Sequence, residues 1–179
     1  FRSAGEYYLT DLVEYASKRM LPIGSTEAKE LEVYGANDKR ELEGLYSAMV
    51  ALNIDAAKKK GAIFKDTSTC YVEGVLKVGK DVSIGNNVTI KGNVVLGNDV
   101  SIGSNVILSN TKIGSNSTIK EFCSIEDSKI AANVEVGPFA RLRNGAVLDN
   151  SAKVGNFVEV KKSRIGQDRK STRLNSSHQ

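Results

Sequence analysis

The chain has 179 residues, of which 40% are hydrophobic and 26% charged, which is the composition of a folded protein of one or two domains. No apolar run approaches the ~18 residues that a membrane span requires, and no signal-peptide pattern opens the chain. The two cysteines have neither metal-ligand spacing nor a disulfide framework, and one histidine is too few for a His-rich metal site or a Ser-His triad. We therefore expect a cytoplasmic protein with no membrane span.

The first predicted element is an amphipathic helix around residues 8–20. Asp11 and Glu14 have the spacing of a capping box near its start. Short strands are expected after it, near Pro22–Ile23 and Leu31–Val33. The helix is predicted from apolar side chains at helical spacing: Tyr8, Leu9, Leu12, Val13, Ala16 and Met20.

A second, longer helix is predicted over residues 38–61. Asp38 begins it as N-cap with Glu41 three residues later, and Gly61 ends it after three lysines. The lysines are interpreted as a solvated helix end and not as a nucleic-acid patch, because the helix dipole favours cations there. At ~1.5 Å per residue the helix is about 33 Å long, enough to join two domains. Its predicted apolar stripe is Leu42, Leu45, Met49, Leu52 and Ala56.

Aliphatic residues recur every six positions after this helix, with three intervals of five. Neither the period of about 3.6 of an α-helix nor the period of about two of a strand explains this spacing. Three short strands joined by corners would close a coil of about 18 residues, with aliphatic side chains stacked inside and Gly, Asn and Asp at the corners. The repeat positions are Val72, Val78, Ile84, Ile90, Leu96, Ile102, Leu108, Ile113, Ile119, Ile125, Ile130, Val136, Leu142, Leu148, Val154, Val160 and Ile165.

This six-residue pattern resembles that of the hexapeptide-repeat proteins. The resemblance implies an all-β, left-handed parallel β-helix over residues 62–167. The left-handedness is taken from the family, because the usual crossover between parallel strands is right-handed. Members of the family are commonly trimers, so a homotrimer is also expected.

The last twelve residues, 168–179, differ from the repeat and read DRKSTRLNSSHQ. Eleven of them are similar to the in-frame translation of a short-read sequencing adapter, so we expect a non-native tail. Without it, Lys+Arg falls from 25 to 22 and Asp+Glu from 21 to 20, and the net charge falls from +4 to +2. So small a charge is weak evidence for nucleic-acid binding, and no such partner is expected.

Two cations near the end of the repeat are the strongest candidates for chemistry. Arg143 and Lys161 each follow a repeat position and are separated by one coil, so they should stack on one outer face of adjacent coils, about 4.8 Å apart. Two stacked cations cost of order 1 kcal/mol in water, and a bridging phosphate would make the arrangement favourable. Solvated surface charge is the alternative. Arg141 and Glu159 have the same one-coil separation and are expected to form an ion pair across the coils.

Four motifs carry a more specific resemblance: GEYYLTD at 5–11, YGANDK at 34–39, GPFARLR at 137–143 and VGNFVEVKKSRIG at 154–166. They are similar to those of the bifunctional bacterial enzymes of UDP-N-acetylglucosamine synthesis, in which an N-terminal uridylyltransferase (pyrophosphorylase) precedes a β-helical glucosamine-1-phosphate acetyltransferase. The resemblance implies that residues 1–37 are the α/β end of the nucleotidyltransferase domain. Residues 38–61 would then be a linker helix, and residues 62–167 an incomplete acetyltransferase domain.

The same resemblance implies roles for three residues. Arg143 and Lys161 match cations that hold the phosphorylated sugar acceptor. Asn37 matches an asparagine that helps bind Mg²⁺ and the UDP-sugar at the uridylyltransferase site. Without the family, Asn37 is a helix N-cap or turn residue. A lone asparagine is a poor Mg²⁺ site, since this ion prefers carboxylate and phosphate oxygens together.

The sequence differs from the family at the catalytic histidine and at the segments that bind the co-substrates. The histidine that deprotonates the sugar amine is expected where Arg173 stands, and His178 lies in the tail, so no catalytic residue is assigned. The later coils that bind acetyl-CoA and the Gly-rich loop that cradles nucleotide phosphates are missing. We expect an interior fragment of such an enzyme, inactive by itself. The alternatives are a sugar-nucleotide pyrophosphorylase with a regulatory β-helix, and a trimerising scaffold without activity.

Overall fold

The computed structural model describes residues 8–28, 33 and 35–171. In this part of the chain, helices α1 (Asp11–Lys18) and α2 (Lys39–Lys59) precede a long series of short strands. No helix here is both long enough and apolar enough to cross a lipid bilayer. The strands are β1 (Ala62–Phe64), β2 (Tyr71–Val78), β3 (Val82–Ile84), β4 (Thr89–Leu96), β5 (Ser101–Ile102), β6 (Ile107–Ser109), β7 (Lys112–Ile113), β8 (Thr118–Ile119), β9 (Ser124–Glu126), β10 (Lys129–Ile130), β11 (Glu135–Val136), β12 (Arg141–Arg143), β13 (Val147–Leu148), β14 (Lys153–Val154), β15 (Glu159–Lys161), β16 (Arg164–Ile165) and β17 (Lys170–Ser171).

The strands form a three-sided parallel β-helix. The first face is the seven-stranded sheet β1-β3-β5-β8-β11-β14-β17. Strand β4 bends around a corner, so its residues 89–91 pair with β6 while residues 95–96 pair with β7. The second face continues through β6, β9, β12 and β15, and the third through β7, β10, β13 and β16. Because each strand pairs in parallel with the strand one coil further along the chain, the predicted parallel β-helix is confirmed.

The predicted repeat positions form the core of this β-helix. Fifteen of the seventeen are buried, and Val78 and Ile165 are partly buried. Residues of successive coils lie directly beside one another, as Ile90, Leu108 and Ile125 do. Because full burial of such a side chain contributes about 1.5–3 kcal/mol, these aliphatic ladders are the main source of stability.

The three intervals of five residues share a structural feature. Thr111, Ser128 and Ser163 each donate a hydroxyl hydrogen bond of 2.6–2.8 Å to the carbonyl two residues earlier. Full-length corners on the same edge have an aliphatic side chain there, Val94 or Ala146, which is buried. The shorter corner brings a carbonyl within reach, so the hydroxyl is satisfied and a polar side chain is tolerated.

Aromatic residues occupy one corner of the last coils. Most corner residues with positive φ are Asn or Asp, but Phe122, Phe139 and Phe157 adopt φ of 59°, 56° and 55°. Such a φ is unfavourable for a bulky side chain. The three rings stack on successive coils with centroids 4.9 and 5.0 Å apart, and this contact offsets part of the strain.

Residues 8–28 correct three details of the prediction. Thr10, without a side-chain hydrogen bond, precedes α1, while Asp11 lies inside the helix and accepts a hydrogen bond from the Tyr8 N–H. Met20 lies beyond the helix and is exposed. Residues 21–28 contain no strand, since no described strand pairs with them. Of the other expected strand, Leu31 lies outside the described residues and Val33 is helical.

Helix α2 lies within the predicted range of residues 38–61, but its buried face differs from the predicted one. Asp38 Oδ1 accepts a 2.8 Å hydrogen bond from the Glu41 N–H, as expected of an N-cap. The helix packs on the first coil through its C-terminal half, where Ile54 and Ala57 are buried and Asn53 donates to the carbonyl of Val72. The position of the first coil decides which face of α2 is buried. The predicted apolar stripe is therefore wrong, because four of its residues are exposed: Leu42, Met49, Leu52 and Ala56.

Candidate anion-binding site

Strands β12 and β15 place an array of four charged side chains on the second face of the β-helix. Leu142 and Val160 are buried, so the residues on either side of them point outward. In register, Arg143 lies opposite Lys161 and Arg141 lies opposite Glu159. The predicted stacking of Arg143 on Lys161 is thus observed in the strand register.

The ion pair within this array differs from the prediction. Arg143 Nε donates to Glu159 Oε1 at 2.5 Å, and no Arg141–Glu159 pair forms. Diagonal neighbours on adjacent strands are within reach of long side chains. The Arg143 side chain is 26% exposed and that of Glu159 48%, so Arg143 has less water to solvate it and more to gain from the carboxylate.

The electrostatics of the array favour a bound anion. The hydrogen bond from Arg143 lowers the pKa of Glu159, and the charges of Arg143, Arg141 and Lys161 lower it further. Glu159 is therefore ionised, and three cations face one carboxylate. No described residue accepts a hydrogen bond from the two Nη groups of Arg143. A guanidinium held at Nε presents its Nη donors in the planar geometry that suits phosphate.

Asn37 lies far from this array in the fold. It precedes α2, whose C-terminal half packs on β1 and β2, at the opposite end of the β-helix from β12 and β15. Asp38 is the N-cap, so Asn37 is a turn residue. Its backbone N–H and Nδ2 donate to Glu41 Oε2 at 2.8 and 3.3 Å.

Asn37 by itself does not provide a Mg²⁺ site. Its side chain has one carbonyl oxygen to offer, whereas Mg²⁺ is held by carboxylate and phosphate oxygens together. No cluster of three or more His, Cys, Asp and Glu side chains suited to a metal occurs in the described ranges. The described residues therefore do not form a complete Mg²⁺ site by themselves.

The terminal residues are only partly described. Arg173 and His178 lie outside the described residues. Lys170–Ser171, which belong to the expected tail, form β17 and pair with β14. Both cysteines are free and buried.

Sequence reasoning missed a second charged cluster, on the first face. The Glu135 carboxylate accepts from Lys120 and lies 3.7 Å from Lys153 Nζ. The pKa of Glu135 is lowered, chiefly by the hydrogen bond from Lys120. The one-coil separation of Glu135 and Lys153 could have indicated that pair, as it did for Arg143 and Lys161, whereas Lys120 is not a register partner of Glu135.

Comparison with known proteins identifies the family. The family described as GMPPB C-terminal domain matches residues 67–177. The bifunctional protein GlmU of Nitrosomonas europaea is 40% identical over 171 residues, which are 95% of this chain and 37% of that protein. GlmU of Idiomarina loihiensis is 41% identical over 170 residues, which are 94% of this chain and 37% of that protein. The chain thus spans about 37% of the length of these curated relatives.

A solved structure agrees with the fold. A variant of perosamine N-acetyltransferase from Caulobacter crescentus, in complex with CoA and GDP-perosamine, superposes with a TM-score of 0.53 at 21% identity. The alignment covers 56% of this chain and 50% of that chain. At this identity the likeness supports the β-helix and not a shared ligand. The fold and the sequence similarity agree. The chain belongs to the GMPPB C-terminal domain family and is a relative of the bifunctional GlmU enzymes over the segment that it spans.

Proposed function

We propose that this chain is part of a GlmU-type enzyme that makes UDP-N-acetylglucosamine. The parent enzyme would transfer an acetyl group from acetyl-CoA to glucosamine-1-phosphate and then a uridylyl group from UTP to the product. The observation that carries the proposal is the strand register of Arg143 beside Lys161, and in the proposal these two cations hold one phosphate. The similarity to GlmU over 95% of the chain supports the choice of sugar phosphate.

In the acetyl transfer, the sugar amine attacks the thioester carbonyl. A C–N bond forms, the C–S bond breaks, CoA leaves as the thiol, and the amine gives up a proton to a base. Arg143 and Lys161 take no part in these bond changes. They hold the phosphate of the acceptor, which fixes the position of the amine and lowers the entropic cost of the reaction. We assign no base among the described residues.

Glu159 has a positioning role in this proposal. By accepting from Nε, it orients the Arg143 guanidinium so that the Nη groups face outward to the phosphate. It also offsets part of the repulsion between Arg143 and Lys161. Both effects prepare the two cations for the anion before it binds.

The remaining features of the parent enzyme follow from the same proposal. Residues 1–37 would belong to the uridylyltransferase domain, α2 would link it to the acetyltransferase domain, and residues 168–179 would be a non-native tail. The parent would be a cytoplasmic homotrimer, and the segment present here would be inactive by itself. The similarity to GlmU over about 95% of the chain supports such a parent enzyme, whereas the family match up to residue 177 and the pairing of β17 with β14 give no support to a non-native tail.

Calorimetric titration of the 179-residue chain with glucosamine-1-phosphate tests the proposal. We expect binding that weakens about tenfold in Arg143→Gln and in Lys161→Gln, since a hydrogen bond to a charged group contributes about 1.5–3 kcal/mol. Arg141→Gln is the matched control, because Arg141 lies on the same strand and is exposed but has no cation opposite it. Absence of binding, or equal binding by wild type and Arg143→Gln, would exclude the site.

A sugar-nucleotide pyrophosphorylase with a regulatory or trimerising β-helix is the second candidate. The match of residues 67–177 to the GMPPB C-terminal domain, a family not named after GlmU, favours it. It predicts a nucleotide-sugar in place of glucosamine-1-phosphate at Arg143. Titration with UDP-N-acetylglucosamine beside glucosamine-1-phosphate separates the two, since GlmU-type acetyl transfer requires the sugar phosphate to bind better.

A further inference from the structure

The third face of the β-helix carries a second stacked pair of cations. Lys112 of β7 and Lys129 of β10 are direct register partners on adjacent coils. Both side chains point outward and are exposed, because Ile113 and Ile130, which follow them, are buried in the core. Their backbones are therefore about 4.8 Å apart, as those of Arg143 and Lys161 are.

Unlike the other charged clusters, this pair has no carboxylate partner. Among the described residues, neither Lys112 nor Lys129 forms an ion pair, including with Asp127 at the corner before Lys129. Asp149 lies in the same groove, but both of its oxygens accept hydrogen bonds of 2.8 Å from Arg164. Two like charges thus stand side by side with the nearby carboxylate already occupied, which favours an added anion.

The two lysines border a shallow groove of about 270 Å³. Its floor is made of small or apolar residues, among them Gly114, Ala131 and Val147. A Cβ on Gly114 would lie 2.6 Å from the backbone of Ala131, so only glycine allows the coils to approach this closely here. The groove beside the two lysines is at the lower end of the size of ligand pockets, and its volume suits a small anion.

We propose that Lys112 and Lys129 form a second anion-binding site, which takes a phosphate or diphosphate group, free or carried by a small molecule. The two ammonium groups donate charge-assisted hydrogen bonds to its oxygens. The site lies on the third face, whereas Arg143 and Lys161 lie on the second. It therefore does not depend on the function proposed above.

Titration of the 179-residue chain with inorganic pyrophosphate at low salt, followed by amide chemical shifts, tests this site. We expect shifts around Lys112, Gly114 and Lys129, and an affinity about tenfold lower in the Lys112→Gln/Lys129→Gln double variant. Lys77→Gln is the matched control. Lys77 is exposed at the corresponding position of an earlier coil of the same face. Its register partner is Val95, so it has no second cation beside it. We expect the control to bind as wild type does.

Two results would overturn the site. One is equal affinity of the double variant and wild type. The other is an equal loss of affinity in Lys77→Gln, which would show that pyrophosphate binding depends on overall charge and not on the Lys112–Lys129 pair. An Arg143→Gln/Lys161→Gln variant separates this proposal from the previous one. It should keep the shifts around Lys112 and Lys129 while losing glucosamine-1-phosphate, and a failure of either site leaves the other intact.

Discussion

Arg143 donates its Nε hydrogen bond to Glu159, although Arg141 is the register partner of that carboxylate. The diagonal contact joins two coils and orients the guanidinium that stacks on Lys161. It leaves Lys161 without an ion pair among the described residues, so a two-cation site for phosphate persists beside an ionised carboxylate.

Glu159→Gln should weaken the binding of glucosamine-1-phosphate several-fold, although Glu159 repels anions and its removal raises the local positive charge. The reason is that the variant loses the ionic hydrogen bond that orients Arg143. Calorimetric titration measures the effect, with Glu126→Gln on the neighbouring coil as the control for charge alone. Tighter binding by Glu159→Gln than by wild type would show that charge outweighs orientation.

The contribution of Glu159 to stability should depend on pH in a defined direction. Its pKa is lowered in the folded protein, so its stabilising effect is present above the pKa of an unfolded glutamate and is lost as the pH falls through the folded pKa, below 4.5. The difference in unfolding midpoint between wild type and Glu159→Gln should therefore be constant from neutral pH to about 5 and shrink in more acidic solution. Denaturant titrations over this range measure it. A difference in unfolding midpoint that grew in acid would contradict a lowered pKa of Glu159 in the folded protein.

Leu142→Ala should lower the free energy of unfolding by about 2–5 kcal/mol, the usual cost of a cavity in a packed core. Leu142 is fully buried between Arg141 and Arg143, so the variant should also weaken sugar-phosphate binding by loosening β12. Ile107→Ala is the control, because Ile107 is 47% exposed on the same face, and we expect a loss of about 1 kcal/mol or less. Chemical denaturation measures both, and equal losses would contradict the predicted core.

Gly137→Ala should destabilise the protein by about 2–4 kcal/mol, since both conformation and space oppose a side chain there. Gly137 has φ of 95°, and an added Cβ would collide with the buried Cys123 Sγ. Adding Cys123→Ala should recover part of this loss by removing the collision but not the backbone strain. Gly44→Ala, in α2 with no atom outside the local helix backbone within 4 Å of the added Cβ, should instead stabilise by about 0.5–1 kcal/mol. Thermal unfolding of the variants tests this order.

Ile54→Ala should destabilise the protein by about 2–4 kcal/mol, whereas Leu42→Ala should change stability by about 0.5 kcal/mol or less. Ile54 is 6% exposed against the first coil, and Leu42 is 56% exposed near the N-terminal end of α2. The helical stripe in the sequence predicts the reverse order, so denaturation of the two variants decides between them. A larger loss of stability in Leu42→Ala than in Ile54→Ala would indicate that the predicted apolar stripe is the buried face of α2.

The sequence by itself determined the β-helix and the stacking of Arg143 on Lys161. A six-residue interval allows few other structures, and the register between coils follows from counting once every strand has a buried aliphatic residue. At the intervals of five, a hydroxyl such as that of Ser128 is bonded to a nearby carbonyl, so a polar side chain is tolerated at the shorter corner.

Only the tertiary structure decided which charges pair and which helix face is buried. The choice of Arg143 over Arg141 by Glu159 depends on side-chain reach and exposure, which register does not encode. The burial of Ile54 in place of Leu42 depends on where the first coil lies against α2, because an amphipathic pattern shows that a face can be buried but not what will cover it.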